Sequence, residues 1–336
     1  MKKTKWIVGI VAAIVVILMA CAAPYLFMGA PVDGLVKVRP GSSIEQIGDS
    51  IQSAIGVSYG KRVETMLKLM HANVEKREGA FRISKGLSPF TAARNIKNGI
   101  QGGVRFTFNN VRTVDEWAQR WGECFMGETS DMLKLLKDSA ACAKYEKTPQ
   151  TIVCLLMPDT YEFYWDISPE KTLDRLYDYY NDFWTNKRKG KAEKIGLTPD
   201  EVATIASIVE EETSKKDERG KVARLYLNRI QEGMPLQADP TVKFALGDFS
   251  IKRITQAMTR VNSPYNTYQV DGLPPGPIRL PEKTTIDAVL DAPQHDYIYM
   301  CARADFSGYH DFARTYDEHL ENAHRYQDAL NKRGIK

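Results

Sequence analysis

The chain has few of the residues that build metal centres, disulfide scaffolds or nucleophilic active sites. Its 336 residues include 5 cysteines and 5 histidines. The four cysteines after Cys21 lack CxxC spacing and are too sparse to define a disulfide scaffold, and outside the cytoplasm both a bridge and buried free thiols are compatible with them. His319 and His324 are spaced wrongly for a metal pair on one helical face, and neither GxSxG nor HExxH occurs. We therefore expect no metal site, no cofactor and no protease activity.

The chain also lacks a strong charge of one sign. The formal net charge is +4, and leaving out the three lysines at positions 2, 3 and 5 reduces it to about +1. Both signs are interspersed along the rest, without the basic stripe that is typical of nucleic-acid binders. Internal repeats and low-complexity tracts are also missing, which argues against a fibrous or repeat architecture. A globular protein is expected, with no nucleic acid as a partner.

One long apolar run lies near the N-terminus. No charged side chain occurs from Trp6 to Met28, and as a helix rising 1.5 Å per residue this run is long enough to cross a hydrocarbon core of roughly 30 Å. Lysines precede it and the next positive charge is Lys37, which places residues 1–5 in the cytoplasm and the rest of the chain outside. We predict a single transmembrane helix over 6–28. The alternative is a cleaved signal, or lipoprotein processing at Cys21, but the apolar run continues past that cysteine.

Short strands and helices are predicted after this run. The region 31–105 is interpreted as a small α+β unit, and 106–336 as a larger, mixed α/β domain. The fold class is therefore α+β behind a transmembrane helix. The predicted strands in the small unit are 34–39, 79–83 and 104–108, and the predicted helices between them are 43–51, 62–74 and 89–98.

The sequence around residue 200 predicts a well-defined helix start. Thr198 is placed to cap the helix, Pro199 suits the first helical position, and Glu201 lies three residues after the cap. The helix then continues to Thr213. At 100° per residue, its apolar side chains form one arc. The residues of the arc are Val202, Ile205, Ala206, Ile208 and Val209.

Three consecutive glutamates lie near the end of this helix, and one of them falls on the apolar side. With Val202 at zero, the arc centres near about 320° and Glu212 falls at about 280°. Glu210, at about 80°, and Glu211, at about 180°, fall outside the arc. Burial disfavours the charged form and raises the pKa of a carboxylate, which suits a general acid. The alternative, a simple ion pair with a lysine or arginine at the helix end, is slightly favoured by this geometry alone.

Three later segments are rich in hydroxyl, amide and aromatic groups on a backbone fixed by prolines: 235–242, 263–268 and 271–278. Amides and hydroxyls match the hydroxyls of a sugar, and Tyr265 and Tyr268 offer flat faces. The same composition also occurs in ordinary turns. Carbohydrate binding is therefore one of two open interpretations of these segments.

The helix around residue 200 and the later polar segments, together with several shorter blocks, resemble the YceG-like family of endolytic murein transglycosylases. The blocks occur in the same order as in that family. Any one block can arise by chance, whereas the ordered set over most of residues 36–325 is specific. Two departures stand out: Glu211 occupies the lysine position of the family's Glu-Lys-Glu-Thr motif, and residues 154–156 replace a Glu-Gly-aromatic sequence. The matching segments are 206–213, 217–223, 228–229, 236–242, 263–268 and 272–276, with weaker matches at 158–161 and 308–312.

The resemblance implies a LysM-like unit over 31–105 and a catalytic domain over 106–336. It implies that Glu212 acts as acid and then base, cleaving the β-1,4 bond between N-acetylmuramic acid and N-acetylglucosamine in nascent peptidoglycan to leave 1,6-anhydro ends. Glu211 would raise the pKa of Glu212 further if it were close enough. Wall synthases are implied as partners. The expected glycan-binding residues are Gln237, Asp239, Thr241, Ser263, Tyr265, Asn266, Thr267 and Tyr268.

Two alternatives remain at the level of sequence. The first is a muramidase that hydrolyses the same bond with Asp239 as its second carboxylate, since most glycoside hydrolases use two. The second is a non-catalytic scaffold that binds peptidoglycan or division proteins through the LysM-like unit and the membrane helix. The reaction products distinguish the first from a transglycosylase, and substitution of Glu212 distinguishes the second.

Overall fold

The computed structural model describes residues 2–334, and the side chains from residue 6 onward. The segment 1–5, predicted to be cytoplasmic, therefore falls on residues whose side chains are not described. Met1 and the last two residues of the predicted 106–336 domain lie outside the described residues. Two compact units are present. The N-terminal unit contains residues 1–106, 123–127 and 161–168, and the C-terminal unit contains 107–122, 128–160 and 169–336.

The first helix, α1 (Lys2–Leu26), covers all but the last two residues of the predicted membrane span 6–28. Within the described part of the chain, Trp6–Leu26 is the one helix long and apolar enough to cross a membrane, with a mean hydropathy of 2.8. The helix ends two residues before the predicted limit of Met28. It ends there because the chain turns into the N-terminal unit, where Ala30 is buried and exchanges backbone hydrogen bonds with Gly86 and Leu87.

After α1, the elements follow the order strand, helix, helix, strand, helix, strand. Strand β1 pairs antiparallel with β2, with Val36 opposite Phe81. Ser43 and Gln46 form a capping box at the start of the second helix. The mixed α+β class is confirmed, whereas the LysM-like identity stays a prediction. The elements are β1 (Gly34–Val38), α2 (Ile44–Ala54), α3 (Val57–Leu69), β2 (Gly79–Ile83), α4 (Pro89–Asn98) and β3 (Val104–Phe108).

The third helix begins and ends earlier than the predicted range of 62–74. Gly56 has a φ of 137°, a conformation that suits glycine, and this allows the chain to turn sharply and start α3 at Val57. Tyr59, Val63 and Leu67 then recur every four residues and are all buried. The prediction missed the first turn of α3 because the buried residue there is an aromatic one, Tyr59.

Two short segments from later in the chain belong to the N-terminal unit. Phe125 makes an edge-on contact with Phe106 at 5.4 Å and with Phe163 at 5.8 Å between ring centroids. These aromatic contacts draw residues 123–127 and 161–168 to the unit, which hydrophobic periodicity did not predict.

The remaining elements are mostly helical. Strand β3 pairs with β4, and β5 pairs antiparallel with β6, with Ala302 opposite His310. Short 3-10 turns occur at Ile152–Leu155 and Met258–Arg260. The elements are α5 (Val114–Cys124), α6 (Thr129–Lys137), α7 (Ser139–Ala143), β4 (Asp159–Phe163), α8 (Pro169–Phe183), α9 (Asn186–Lys194), α10 (Pro199–Glu212), α11 (Arg219–Gln231), α12 (Asp239–Leu246), α13 (Lys283–Leu290), β5 (Tyr299–Ala302), β6 (His310–Ala313) and α14 (Tyr316–Lys332).

Helix α10 is the central helix of the C-terminal unit and packs against α11, α12 and α13. Its start is as predicted, because Thr198 and Glu201 form a reciprocal capping box with Pro199 in the first turn. The expectation of a single buried face is wrong. Every residue from Val202 to Glu210 is buried, because neighbouring helices and loops cover the helix on all sides.

Candidate active site

A cavity of about 250 Å³ opens at the C-terminal end of α10. Side chains from α10, α11, the start of α12, β5 and β6 reach it, together with one residue of the 263–268 loop. Its lining is mixed, with carboxylates, phenols, an arginine, an amide and an imidazole beside four apolar side chains and a thiol. The lining residues are Glu212, Leu225, Tyr226, Arg229, Leu236, Gln237, Asp239, Tyr268, Met300, Cys301, Ala302 and His310.

Glu212 is the last residue of α10, and its carboxylate faces this cavity. Burial raises the pKa of Glu212 to about 7, and the negative charge of Asp239 acts in the same direction. A hydrogen bond of 2.8 Å from the Tyr226 hydroxyl to Oε1 lowers the pKa, as do the charges of His310 and Lys243. The balance leaves a carboxyl that can both give and accept a proton near neutral pH.

Glu210 is the most buried of the three glutamates, contrary to the helical-angle prediction. Its side chain is 3% exposed and lies 3.2 Å from the guanidinium of Arg279. Glu210 Oε2 accepts hydrogen bonds from the Thr285 hydroxyl at 2.7 Å and from the backbone N–H of Glu282 at 2.9 Å. The angle calculation failed here because α10 is covered all round, and a fully paired carboxylate can then face any side.

Glu211 is neutralised by two arginines. Arg112 donates to both of its carboxylate oxygens at 3.0 Å, and Arg279 donates to Oε1 at 2.6 Å. The expected effect of Glu211 on the pKa of Glu212 depended on an uncompensated charge. Burial is instead the largest cause of the raised pKa of Glu212.

Three of the eight predicted glycan-binding residues lie in the same cavity as Glu212. Tyr268 donates its hydroxyl to Oδ1 of Asp239 at 2.7 Å, which ties the 263–268 loop to the start of α12. Gln237 accepts a hydrogen bond of 3.3 Å from Arg229, and its φ of 51° lies in the left-handed region. The structure therefore brings Gln237, Asp239 and Tyr268 together with the candidate catalytic carboxyl.

Three more of the predicted residues are completely buried beneath the cavity. Thr241, Asn266 and Thr267 have no exposed surface. The hydroxyls of Thr241 and Thr267 lie 2.8 Å apart, and that of Thr267 also accepts from the backbone N–H of Ala238 at 3.0 Å. Asn266 donates to the carbonyl of Val261 at 2.7 Å. These side chains hold the two loops together and present Gln237 and Tyr268 to the cavity.

The last two predicted residues, Ser263 and Tyr265, are outside the cavity lining. The hydroxyl of Ser263 accepts from the backbone N–H of Tyr265 at 3.2 Å. The ring of Tyr265 packs on Phe244 with 4.7 Å between centroids. Tyr265 therefore contributes its flat face to the loop core.

Sequence reasoning missed the group formed by Glu218 and His310. The side chain of Glu218 is 5% exposed and accepts from Nδ1 of His310 at 2.9 Å, from the backbone N–H of the same residue at 2.8 Å, and from the Thr213 hydroxyl at 3.1 Å. With Nδ1 bonded to a carboxylate, Nε2 is the ring nitrogen left for a ligand in the cavity. The signal was available, since Glu218 and His310 both lie in family-matching blocks.

The cavity wall also includes two residues for which the sequence predicted no role in the site, Tyr226 and Arg229. Tyr226 donates its hydroxyl to Oε1 of Glu212. Arg229 is 7% exposed and donates to the carbonyls of Ile298 at 2.7 Å and Leu236 at 2.9 Å. It holds β5 and the 235–242 segment against α11, so it shapes the cavity wall from behind.

All five cysteines are free thiols, with Cys142 and Cys154 buried and Cys301 in the cavity wall. Between residues 2 and 334, no group of three or more His, Cys, Asp or Glu side chains is placed to hold a metal ion. The ionisable side chains in the cavity wall include carboxyl, phenol and imidazole groups.

Comparison with known proteins gives consistent matches. The sequence profile described as the YceG-like family matches residues 36–325. A protein of Bacillus subtilis named endolytic murein transglycosylase is 33% identical over 314 residues, covering 89% of this chain and 86% of its own length. A protein of Streptococcus pneumoniae with the same name is 25% identical over 308 residues. That match covers 80% of this chain, but the chain spans only about half, 54%, of the streptococcal protein.

A solved structure is also similar. The crystal structure of a YceG-like protein from Listeria monocytogenes superposes with a TM-score of 0.58 at 25% sequence identity. The match covers 86% of this chain and 98% of the Listeria chain. The likeness therefore extends along nearly the whole of that protein.

Proposed function

The chain belongs to the YceG-like family, and we propose that it is an endolytic murein transglycosylase in which Glu212 is the acid and then the base. The names of the relatives from Bacillus subtilis and Streptococcus pneumoniae support the activity. The observation that carries the assignment of Glu212 is its position at the end of α10 in the wall of a polar cavity, where burial raises the pKa of the carboxyl to about 7. A carboxyl with this pKa is about half protonated at neutral pH. This suits a residue that must first donate a proton and then accept one.

The proposed substrate is a glycan strand of peptidoglycan, cleaved at the β-1,4 bond that follows N-acetylmuramic acid. In the first step, the Glu212 carboxyl gives its proton to the bridging oxygen as the bond from this oxygen to the anomeric carbon breaks. The carbonyl oxygen of the substrate's own N-acetyl group shares an electron pair with that carbon. N-acetylglucosamine leaves with the donated proton.

In the second step, the Glu212 carboxylate removes the proton from the 6-hydroxyl of the muramic acid. The freed oxygen attacks the anomeric carbon and displaces the acetamido oxygen, which closes the 1,6-anhydro ring. Glu212 ends protonated, as it began, and water is not consumed. One carboxyl is therefore sufficient, whereas a hydrolase with two carboxylates directs one of them at water or at the sugar.

We assign glycan contacts to the three predicted residues whose side chains line the cavity: Gln237, Asp239 and Tyr268. The amide and the carboxylate can bind sugar hydroxyls, and the phenol ring offers a flat face. The buried side chains of Thr241, Asn266 and Thr267 position these contacts from beneath, and Ser263 and Tyr265 shape the loop. Of the eight residues expected to bind the glycan, three would therefore contact it directly. The other five would act indirectly, by positioning those three.

We further propose that α1 anchors the protein in the cytoplasmic membrane as a single pass, with the lysine-rich end in the cytoplasm. The apolar span Trp6–Leu26 and the charge asymmetry around it support this arrangement. Both compact units would then lie on the outer side, where newly made glycan strands are found. An association with wall synthases remains a prediction.

A specific observation favours one alternative, a muramidase. Asp239 lines the same cavity as Glu212, so a second carboxylate is available to activate water. The two reactions leave different ends on the glycan. A transglycosylase leaves non-reducing, 1,6-anhydro muramic acid, whereas a muramidase leaves a reducing end.

The full-length protein in detergent, incubated with purified peptidoglycan, tests both assignments. We expect anhydro-muramic ends, identified by mass spectrometry of the released fragments, and at least a thousandfold lower rate for Glu212→Gln. Glu232→Gln, at the exposed end of α11, is the matched control and should cleave at the wild-type rate. Reducing ends would replace the transglycosylase with the muramidase, and undiminished cleavage by Glu212→Gln would reject the catalytic assignment.

A further inference from the structure

The linker between the membrane helix and the N-terminal unit is very short. Helix α1 ends at Leu26, and Ala30 is already buried in the core of the unit. Only residues 27–29 lie between them, and three or four extended residues span at most about 14 Å. The polar headgroup layer on one side of a bilayer is itself roughly 5–8 Å thick. If α1 spans the membrane, the unit must lie directly on the bilayer surface.

The linker is also fixed to the unit by backbone contacts. The N–H of Ala30 donates to the carbonyl of Leu87 at 2.9 Å, and its own carbonyl accepts from Gly86 at 2.9 Å. Gly29 packs so closely that a Cβ there would lie 2.3 Å from the carbonyl oxygen of Gly86. These contacts leave the junction little freedom to swing, so one particular face of the unit is directed at the membrane.

The face beside the linker consists of the N-terminal ends of α3 and α4. Pro31 lies next to Gly56, the residue that precedes α3, and the Gly86–Leu87 pair leads directly into α4. Each helix then exposes a large apolar side chain in its first turn. Val57 is 59% exposed and Phe90 is 37% exposed.

A basic residue follows each apolar residue by one helical turn. Lys61 comes four residues after Val57, and Arg94 comes four residues after Phe90; both are exposed. Residues four apart lie on the same side of a helix, so each helix end presents an apolar tip with a cation beside it. An apolar side chain next to a basic one suits the boundary of a bilayer. The apolar side chain can enter the acyl region while the long basic side chain reaches an anionic headgroup.

We propose that the face formed by Val57, Lys61, Phe90 and Arg94 docks on the surface of the bilayer in which α1 is anchored, with preference for anionic lipids. This inference rests on the proposed membrane anchor and goes beyond it, because an anchor alone requires no contact from α3 or α4. Docking holds the N-terminal unit in a fixed orientation relative to the membrane.

Lipid crosslinking of the full-length protein in vesicles tests the proposal. p-Benzoylphenylalanine is introduced at position 57, 90, 69 or 14, one site at a time, in vesicles of phosphatidylglycerol and phosphatidylethanolamine with a tagged lipid. Leu69 is the matched control: it is 66% exposed on the same helix, about 18 Å along the axis from Val57. Ile14, within the proposed span, reports on the anchor itself.

We expect positions 57 and 90 to crosslink to lipid at least fivefold more than position 69. If position 14 crosslinks to lipid but the crosslinking yields at 57 and 90 are no higher than at 69, the docking proposal is wrong and the membrane anchor is still supported. An absence of lipid crosslinks at position 14 as well would reject the anchor and the docking together. The two failures are therefore distinguishable.

The charge preference has its own readout. Replacing the anionic lipid by phosphatidylcholine, or combining Lys61→Glu with Arg94→Glu, should lower the yields at 57 and 90 at least twofold and leave the yield at 14 unchanged. Equal yields in both kinds of vesicle would reject the role of Lys61 and Arg94.

Discussion

The hydroxyl of Tyr226 donates a hydrogen bond of 2.8 Å to Oε1 of Glu212, joining α11 to the last residue of α10. Burial of Glu212 and this hydrogen bond act in opposite directions on the pKa of the carboxyl, which settles at about 7. Tyr226 is 2% exposed, so the contact is held in place by the packing of α11. The proton affinity of the candidate catalytic group thus depends on a neighbour from the next helix.

The first prediction concerns that contact. Tyr226→Phe keeps the ring but removes the donor, so the carboxylate loses stabilisation and the pKa of Glu212 should rise by about one unit. The acid form then persists to higher pH, and the alkaline limb of the pH–rate profile for glycan cleavage should move upward. An unchanged limb, or one displaced to lower pH, would contradict the assignment. Tyr297→Phe, at a phenol outside the cavity lining, is the control and should leave the profile unchanged.

The second prediction concerns stability. The pKa of Glu212 is about 7 in the folded chain, against an ordinary value of 4.5, so the folded state holds this proton more tightly than the unfolded state. The stability that this proton contributes is present below pH 4.5 and is lost as the pH rises through 7. Glu212→Gln should therefore be more stable than the wild type at pH 8, by at most about 3 kcal/mol, and should match it near pH 4.5.

Thermal unfolding at the two pH values measures this difference, with Glu232→Gln as the exposed control. A melting temperature of Glu212→Gln equal to that of the wild type at pH 8 would show that the carboxyl is not destabilised by burial. The prediction is independent of substrate, so it tests the environment of Glu212 even where no cleavage is measured.

The third prediction concerns Glu211, where the resemblance gives a lysine. In this chain Glu211 lies between Arg112 and Arg279, so Glu211→Lys would place three cations together in a partly buried network. We expect a loss of about 2 kcal/mol in the free energy of unfolding, since breaking a buried pair leaves charges uncompensated. Adding Arg112→Glu should restore part of the loss. A fully stable Glu211→Lys variant would mean that the arginines can turn to solvent.

The fourth prediction concerns the pair formed by Glu218 and His310. Glu218→Gln removes the charge that holds Nδ1 of His310, and the cleavage rate should fall on the order of tenfold. Asp217→Asn is the control: this exposed neighbour accepts a hydrogen bond from the Tyr309 hydroxyl at 3.0 Å, away from the cavity lining, and the variant should stay within about twofold of the wild type. Melting temperatures measured in parallel distinguish an unfolded variant from one in which only the orientation of the His310 ring has changed. A wild-type cleavage rate for Glu218→Gln would show that this orientation does not affect cleavage.

Local signals predicted the start of α10. The cap at Thr198, the proline after it and the glutamate at the third helical position act within one turn, so their effect does not depend on the rest of the fold. Strands β2 and β3 were predicted at their observed bounds for the same reason, since alternation and flanking glycines are local. The helical angles and the family resemblance both selected Glu212, which lines the cavity, and its catalytic role stays a prediction.

The parts that sequence could not give depend on residues far apart in the chain. The burial of Glu210 requires Arg279 and Thr285, which are brought to it by α13 and the loop before it. The role of Tyr226 could not be predicted from the sequence, because a tyrosine on a buried helix can pack its ring in the core and still direct its hydroxyl into a cavity. The 263–268 loop was recognised as a unit, but only the fold decides that Tyr268 faces the cavity while Tyr265 packs on Phe244.

The backbone of Gln237 adds a consequence for the evolution of the chain. Its φ of 51° costs a residue with a side chain about 1 kcal/mol relative to glycine, yet the amide it carries lines the cavity that contains Glu212. A glycine at this position would relax the loop and remove one of the proposed sugar contacts. Selection for thermal stability alone would therefore favour the substitution Gln237→Gly, and retention of glutamine under such selection would support the proposed contact with the glycan.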